Sequence, residues 1–326
     1  MIIMVNEDEI TSLPGLSDPI KFKQYSGYLN ASKGRHHFYW FTESESDRQN
    51  APVVLWLSGG PGCSSICGMF MENGPFRANE DGKTLLLHDF AFNKVANMVW
   101  MESPVSTGFS YDENTLKPHN NDTTTANDNY LAVESFFAKF PHLRKNPFYL
   151  TGESYGGVYV PMLAREILQR KSNINLKGLA IGNGLVDGQP MATQAFVDYA
   201  LGHGLVTTDW YDRKWEACCE SRPGVQSECN FYKPANKTKC DSVPDAKWIM
   251  LNNSNPYNLY DECAPDVTLQ SWTEDGRVDG RVGGFAQHYE NGLSFVLVRG
   301  AGHLAPADQP EAALQVLKEL TGISKI

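Results

Sequence analysis

The chain has 326 residues, 41% hydrophobic and 20% charged, ordinary values for a globular protein with a substantial core. Its net charge is -10 and its pI is near 5.3. No basic run exceeds two residues, which excludes a phosphate-binding surface for nucleic acid. No stretch is long and apolar enough for a transmembrane helix. Met1 to Val5 is too short, and lacks the preceding basic residue, for a signal-peptide core.

In chain order, the first expected elements are antiparallel strands around Gln24–Leu29 and His36–Phe41, turned at Lys33-Gly34. Val53 to Leu57 is apolar without alternation, as in a strand buried on both faces. Met98–Glu102 is a further strand candidate. Helical spacing follows over Tyr130–Phe140, where Leu131, Phe136, Phe137 and Phe140 share a side. Phe148 to Leu150 reads as another buried strand, followed by a helix over Val158–Arg170. Leu179-Ala180-Ile181 is a strand ending in Gly182-Asn183-Gly184. Periodicity is then lost until Phe295 to Val298, expected as a last buried strand. Pro310-Glu311 opens a helix carrying Ala313, Leu314, Leu317 and Leu320. Strands alternating with helices predict an α/β fold with a mostly parallel central sheet.

Seven cysteines are present, and Cys218, Cys219, Cys229 and Cys240 crowd into a segment also carrying Pro223, Gly224 and Pro234. Adjacent cysteines with long, uneven gaps do not match zinc-ligand spacing, so two local disulfides are expected and no metal site. Four Asn-x-Ser/Thr sequons occur, at Asn30, Asn121, Asn236 and Asn252. Disulfides and sequons together indicate a secretory route, lysosomal or extracellular.

The chemistry centres on Gly152-Glu153-Ser154-Tyr155-Gly156, a Gly-x-Ser-x-Gly pattern between a strand and a helix. In that setting it is a nucleophile elbow, an α/β-hydrolase feature, although the five residues alone also fit a structural turn. His303 follows the last strand in a Gly-rich turn, which suits a general base for Ser154. Ser58-Gly59-Gly60-Pro61-Gly62 follows the first buried strand. There the N–H of Gly60 can join that of Tyr155 as an oxyanion hole. This chemistry is complete in side chains and backbone, so no cofactor is implied.

Taken together, the chain resembles the serine carboxypeptidases, in particular their cathepsin A branch. The matching stretches are Leu55 to Ser65, Glu102-Ser103-Pro104, Gly108 to Tyr111, the Ser154 elbow, Gly182-Asn183-Gly184, Cys218-Cys219, and Gly300-Ala301-Gly302-His303. The resemblance implies Ser154 as nucleophile, His303 as base, and Gly60 and Tyr155 at the oxyanion hole. It assigns Glu72 and Glu153, with Ser58 and Gly59, to recognition of a substrate's terminal carboxylate. Two acids in a partly buried site raise at least one pKa, and a protonated carboxyl can donate to that carboxylate. An acidic optimum is therefore implied. It also pairs Cys218 with Cys240 and Cys219 with Cys229.

Two departures stand out. The family's Asn before Gly-Gly-Pro-Gly is replaced by Ser58, whose hydroxyl is shorter than an amide. The family's triad acid, which follows an apolar run ending Asn-Gly-Asp, has no counterpart. A break near Pro265–Asp266 is expected to remove part of the cap and that strand. The partners that the resemblance gives Cys63 and Cys263 would go with them. The last strand would then pair with its former second neighbour or leave a gap, displacing His303 by about 5 Å, one strand spacing, and out of hydrogen-bonding reach of Ser154 unless the sheet re-registers. Asp187 is the best-placed candidate for a substitute acid, ahead of Asp266, Glu274, Asp275 and Asp279, although an ordinary loop Asp is the plainer reading of it.

The expected organisation is a hydrolase core over 1–184 and 266–326, interrupted by a truncated cap insertion over 185–265. The resemblance implies a serine carboxypeptidase releasing C-terminal residues at acidic pH through an acyl-enzyme. An inactive binding or protective relative and a general serine esterase are the alternatives. Expected partners are peptides with a free C-terminus, with a homodimer left open.

Overall fold

The computed structural model describes residues 8–186, 194–219, 236–244, 292–298 and 300–323, the backbone of 284–288, and isolated positions between 229 and 259. The chain divides into two compact units, Met1–Gly184 with Leu269–Ile326, and Leu185–Thr268.

The strands are β1 (Gln24–Asn30), β2 (Arg35–Thr42), β3 (Val53–Leu57), β4 (Phe76–Ala78), β5 (Leu85–Leu87), β6 (Asn97–Met101), β7 (Tyr111–Asp112), β8 (Phe148–Glu153), β9 (Leu176–Gly182), β10 (Gly284–His288) and β11 (Ser294–Val298). The first unit also carries α1 (Ser65–Gly68), a π-helical turn Met69–Asn73, α2 (Asp122–Lys139) and α3 (Gly156–Gln169). The second holds α4 (Gln194–Gly202), α5 (Thr208–Cys219) and α6 (Lys237–Asp241). Helices α7 (Ala305–Asp308) and α8 (Pro310–Leu320) belong to the first unit again.

The central sheet runs β1-β2-β6-β3-β8-β9, with β7 beside β2. β1, β2 and β6 are antiparallel neighbours, whereas β6, β3, β8 and β9 are parallel. This is the mostly parallel α/β-hydrolase sheet that the alternation of elements predicts. β3 shows why a central strand reads as an unbroken apolar run. Val53, Leu55 and Leu57 enter one core with Phe136, Leu150, Val160 and Leu163. Val54 and Trp56 enter a second core, on the opposite face, with Trp100, Leu314 and Leu317. Helices α2 and α3 supply the first of these layers and α8 the second.

Helix α2 begins well before Tyr130. Asn121 caps it: the Asn121 side chain accepts from Thr124 N–H at 2.9 Å, and Thr124 Oγ1 accepts from Asn121 N–H at 3.1 Å. Beside Ala126, its first turns bury the polar Thr125, Asp128 and Asn129. Asp128 receives Arg35 at 2.8 Å, and Asn129 Oδ1 receives the Ser103 hydroxyl at 2.7 Å. A search for apolar spacing does not register such a face. Leu131 lies half-buried, while Phe136, Phe137 and Phe140 are in the core.

In the second unit, Val197, Ala200, Trp210, Trp215 and Phe231 form a small core around disulfides Cys218–Cys240 and Cys219–Cys229. Lys214 is buried there and donates to the carbonyls of Cys240 and Val243.

One expectation fails at the end of the sheet. Phe295 to Val298 is not a buried strand: Phe295 is 60% and Leu297 48% exposed. β11 pairs antiparallel with β10 in a separate two-stranded sheet, not with β9. Among the described residues β9 ends the central sheet, and Leu179 on it is exposed. Helix α8 nevertheless packs against both β9 and β11. The strand's apolar composition reports a burial on both faces that its present neighbours do not provide.

Leu293, Phe295 and Leu297 therefore form an uncovered apolar stripe at strand spacing. Replacing Phe295 with Lys should leave the unfolding free energy within about 0.5 kcal/mol, because little burial is lost. It should also reduce concentration-dependent self-association in light scattering. Unchanged scattering together with a lowered melting point would show that Phe295 is covered in solution.

Candidate active site

The elbow is built from close backbone approach. A Cβ placed on Gly152 would lie 2.6 Å from the Leu57 carbonyl oxygen, and one on Gly156 would lie 3.0 Å from the same atom. Glycine is required where β8 crosses the end of β3 and turns into α3. Between them Ser154 adopts φ 59°, a left-handed conformation that costs a non-glycine residue about 1–3 kcal/mol. Its N–H donates to the Gly182 carbonyl at 3.1 Å, which ties the turn to the end of β9. Ser154 and Tyr155 remain partly exposed, at the N-terminus of α3.

The loop after β3 folds back on this turn. A Cβ on Gly59 would meet Tyr155 N at 2.4 Å and Ser154 Cβ at 2.7 Å, so the loop backbone lies directly against the elbow. Gly60 follows with φ +107° and is exposed. The peptide N–H groups of Gly60 and Tyr155 thus belong to two backbone segments in contact. That is the arrangement an oxyanion site needs. Ser58 is buried, accepts from Trp56 Nε1 at 3.0 Å, and donates its own N–H to Ser65 Oγ at 3.1 Å.

Beneath the loop lies a pair of buried acids. Glu153 is the last residue of β8, and Glu72 sits on the π-helical turn; they are 4% and 5% exposed. Their carboxyl groups hydrogen-bond each other. A Cβ on Gly68 would fall 2.9 Å from Ser58 Oγ and 3.2 Å from Glu72 Oε1, so that glycine makes room for both. Burial raises Glu72 to about 7, opposed by its hydrogen bond from Glu153 and by Arg77. Burial and the neighbouring Glu72 raise Glu153 further, to about 10. The pair therefore holds at least one proton at neutral pH. Arg77 donates to the Glu72 carbonyl and, at 3.1 Å, to that of Phe76, fixing the π-helical turn.

His303 is half-buried, and desolvation lowers its pKa. Its backbone is held by Asn183, whose amide donates to the carbonyls of Gly302 and His303 at 3.1 and 2.8 Å. Because Asn183 follows the Gly182 that receives Ser154 N–H, the nucleophile turn and the histidine turn share one anchor. Asp308, five residues beyond His303, accepts from Gly302 N–H at 2.5 Å and faces both Glu72 and Glu153. Sequence reading missed Asp308, Arg77 and Glu102. Buried Glu102 accepts from the Ser64 hydroxyl and, at 2.6 Å, from Phe109 N–H. The available signal was the Glu102-Ser103-Pro104 stretch and an acid shortly after His303.

Asp187, Asp266, Glu274, Asp275, Asp279, Cys263 and Asn252 lie outside the described residues. The sequon residues Asn30, Asn121 and Asn236 are exposed, the last two as helix caps. Cys63 and Cys67 are free, exposed thiols, and Cys63 Sγ lies against Gly60. No described helix is long and apolar enough to cross a membrane.

The serine carboxypeptidase family model matches residues 14–275 and 265–322. This chain belongs to the serine carboxypeptidase family. It is 42% identical to the mouse lysosomal protective protein over 271 residues, covering 83% of this chain and 56% of that protein. It is 40% identical to the Caenorhabditis elegans serine carboxypeptidase ctsa-4.1 over 258 residues, covering 78% and 54%. It thus spans about half the length of these two relatives. An Arabidopsis thaliana serine carboxypeptidase-like 36 is 30% identical over 412 residues, covering 95% of this chain and 85% of that one. The crystal structure of Kex1(delta)p, a prohormone-processing carboxypeptidase from Saccharomyces cerevisiae, superposes with a TM-score of 0.66. It is 19% identical, covers 98% of this chain and 96% of that one, and supports the fold.

Two outcomes test the site without turnover. The folded Glu72–Glu153 pair keeps protons that the unfolded chain loses, so stability is full below pH 4.5 and falls as pH rises through about 7. Glu72→Gln should flatten that fall and stabilise the protein by about 1–3 kcal/mol at pH 8, read by urea unfolding. A steeper fall in the variant would contradict the shared proton. Unreduced, folded protein should also take up iodoacetamide at Cys63 and Cys67 but not at Cys218, Cys219, Cys229 or Cys240, by peptide mass spectrometry.

Proposed function

We propose that this chain is a serine-type carboxypeptidase that releases C-terminal residues from peptides at acidic pH. The buried Glu72–Glu153 pair beside the Ser154 elbow carries this reading. An esterase has no use for two desolvated acids there, whereas a protonated carboxyl can bind the free carboxylate of a peptide end. Ser58 and the Gly59 backbone lie next to the pair and complete that recognition.

In the proposed reaction His303 takes the Ser154 proton as Ser154 Oγ attacks the last peptide carbonyl. The N–H groups of Gly60 and Tyr155 receive the oxyanion. Collapse breaks the C–N bond, and His303 returns the proton to the departing amino group. Water, deprotonated by His303, then attacks the acyl carbon; the Ser154 Oγ–C bond breaks and His303 returns the proton to Ser154 Oγ. Binding persists while the carboxyl pair keeps its protons and weakens as pH rises through about 7, where Glu72 ionises. The same reading places the chain in the secretory pathway, with sugars at Asn30, Asn121, Asn236 and Asn252.

The proposal includes an internal stretch absent relative to the family. Two observations support it: the family model matches in two pieces that overlap at 265–275, and the plant alignment has more positions than this chain has residues. The stretch includes the triad acid, for which Asp187 is the best-placed substitute candidate in the sequence. Uncovered β9 and β11 favour a second reading, an inactive relative acting as a binding or protective partner.

The deciding experiment is release of the terminal amino acid from an N-blocked dipeptide at about pH 5. Turnover that Ser154→Ala abolishes and that a C-terminal amide prevents would support the carboxypeptidase. Amide substrate cleaved equally well would point to an esterase or a less selective hydrolase. If Asp187 does not serve, the rate should lie about 10,000-fold below that of a complete relative. Folded protein with no turnover would leave the binding reading.

A further inference from the structure

We propose that Asp308 is a positioning residue: its carboxylate fastens the Gly302–His303 turn to the structural element that carries Glu72. The catalytic consequence rests on the carboxypeptidase reading, whereas the fastening itself does not.

The geometry begins with what the turn lacks. β11 leads into it, but β11 is not hydrogen-bonded to the central sheet, so strand pairing with β9 does not locate His303. Among the described residues, two side chains hold it. Asn183 holds the carbonyls of Gly302 and His303, and Asp308 Oδ2 accepts from Gly302 N–H at 2.5 Å. Asp308 ends α7, whose own turn is closed by the N–H groups of Ala307 and Asp308 on Leu304 O. Helix α7 packs on the π-helical turn Met69–Asn73. A charge-assisted hydrogen bond of this kind is stronger and more directional than a neutral one, which suits a turn whose strand, among the described residues, pairs only with β10.

The same carboxylate acts on the acid pair. Glu72 is faced by Glu153, Arg77 and Asp308, and Glu153 by Glu72, Asp308 and Cys63. Arg77 favours ionised Glu72, whereas the Asp308 charge favours protons on both members. Asp308 thereby couples the placement of the base to the protonation of the groups proposed to bind substrate. Neutralising it removes a negative neighbour, so the pair ionises at lower pH.

Two substitutions separate these effects. Asp308→Asn keeps an acceptor oxygen for Gly302 N–H and removes the charge; Asp308→Ala removes both. Hydrogen exchange at the Gly302 amide should be fast in Asp308→Ala and remain slow in Asp308→Asn. The infrared band of the protonated Glu72–Glu153 pair, assigned with Glu153→Gln, should vanish about half a pH unit to one unit lower in both variants. Phosphonylation of Ser154 by a fluorophosphonate should slow about ten- to a hundredfold in Asp308→Ala only. Wild-type exchange at Gly302 in Asp308→Ala would overturn the fastening, and an unmoved infrared titration would overturn the coupling. Wild-type protein inert to the fluorophosphonate, with both spectroscopic results as expected, would sink the Ser154–His303 chemistry and leave the role of Asp308 standing.

Discussion

The site depends on one carbonyl oxygen. Leu57 O ends β3 at the point where β8 passes it; a side chain at residue 152 would clash with that atom, and one at 156 would press on it at 3.0 Å. Two glycines let β8 and α3 close on each other around it, which forces Ser154 between them into a left-handed conformation. The strain is sustained because the strands on either side are buried on both faces and cannot relax outward. Gly59 continues the pattern from the other side by lying against Tyr155 N. The placement of Ser154 and of the Gly60 and Tyr155 N–H groups is thus a consequence of how closely two central strands approach.

The buried acids impose the opposite kind of constraint. Two carboxylates in a dry site repel each other, and each loses its hydration. Retaining a proton between them removes most of that cost. The solution holds only where solution pH leaves the proton in place, so the stability of the site and its proposed use share one pH range. Arg77 limits the effect from the Glu72 side, and its bonds to backbone carbonyls keep the π-helical turn from shifting the carboxyl away.

Much of this was legible in the residues. The unbroken apolar run of β3, the Gly-x-Ser-x-Gly turn and the paired antiparallel strands each follow from local rules that tertiary packing does not overturn. The exposed end of the sheet was not legible as such. Phe295 and Leu297 read as core because composition reports the environment a strand is suited to, and among the described residues only β10 pairs with it. The polar start of α2 escaped for a related reason: Asp128 and Asn129 are buried through Arg35 and Ser103, partners distant in sequence. Glu72 needed the family resemblance, since alone it is a carboxylate before Asn73-Gly74-Pro75. Asp308 needed the fold, because only the turn of α7 brings it back onto Gly302.

The two halves of the site are therefore supported unequally. Ser154 and its backbone donors rest on strand ladders and a double-sided core, where displacement would break many contacts at once. His303 rests on the side chains of Asn183 and Asp308 and on the packing of α7. A few hydrogen bonds, each worth about 1–3 kcal/mol when charged, do there what a ladder does for Ser154. The nucleophile half should hold its geometry under conditions where the histidine half opens locally. If His303 is the base proposed above, the activity is limited by how much of the time its turn is in place, and that fraction is set at the edge of the sheet rather than at its centre.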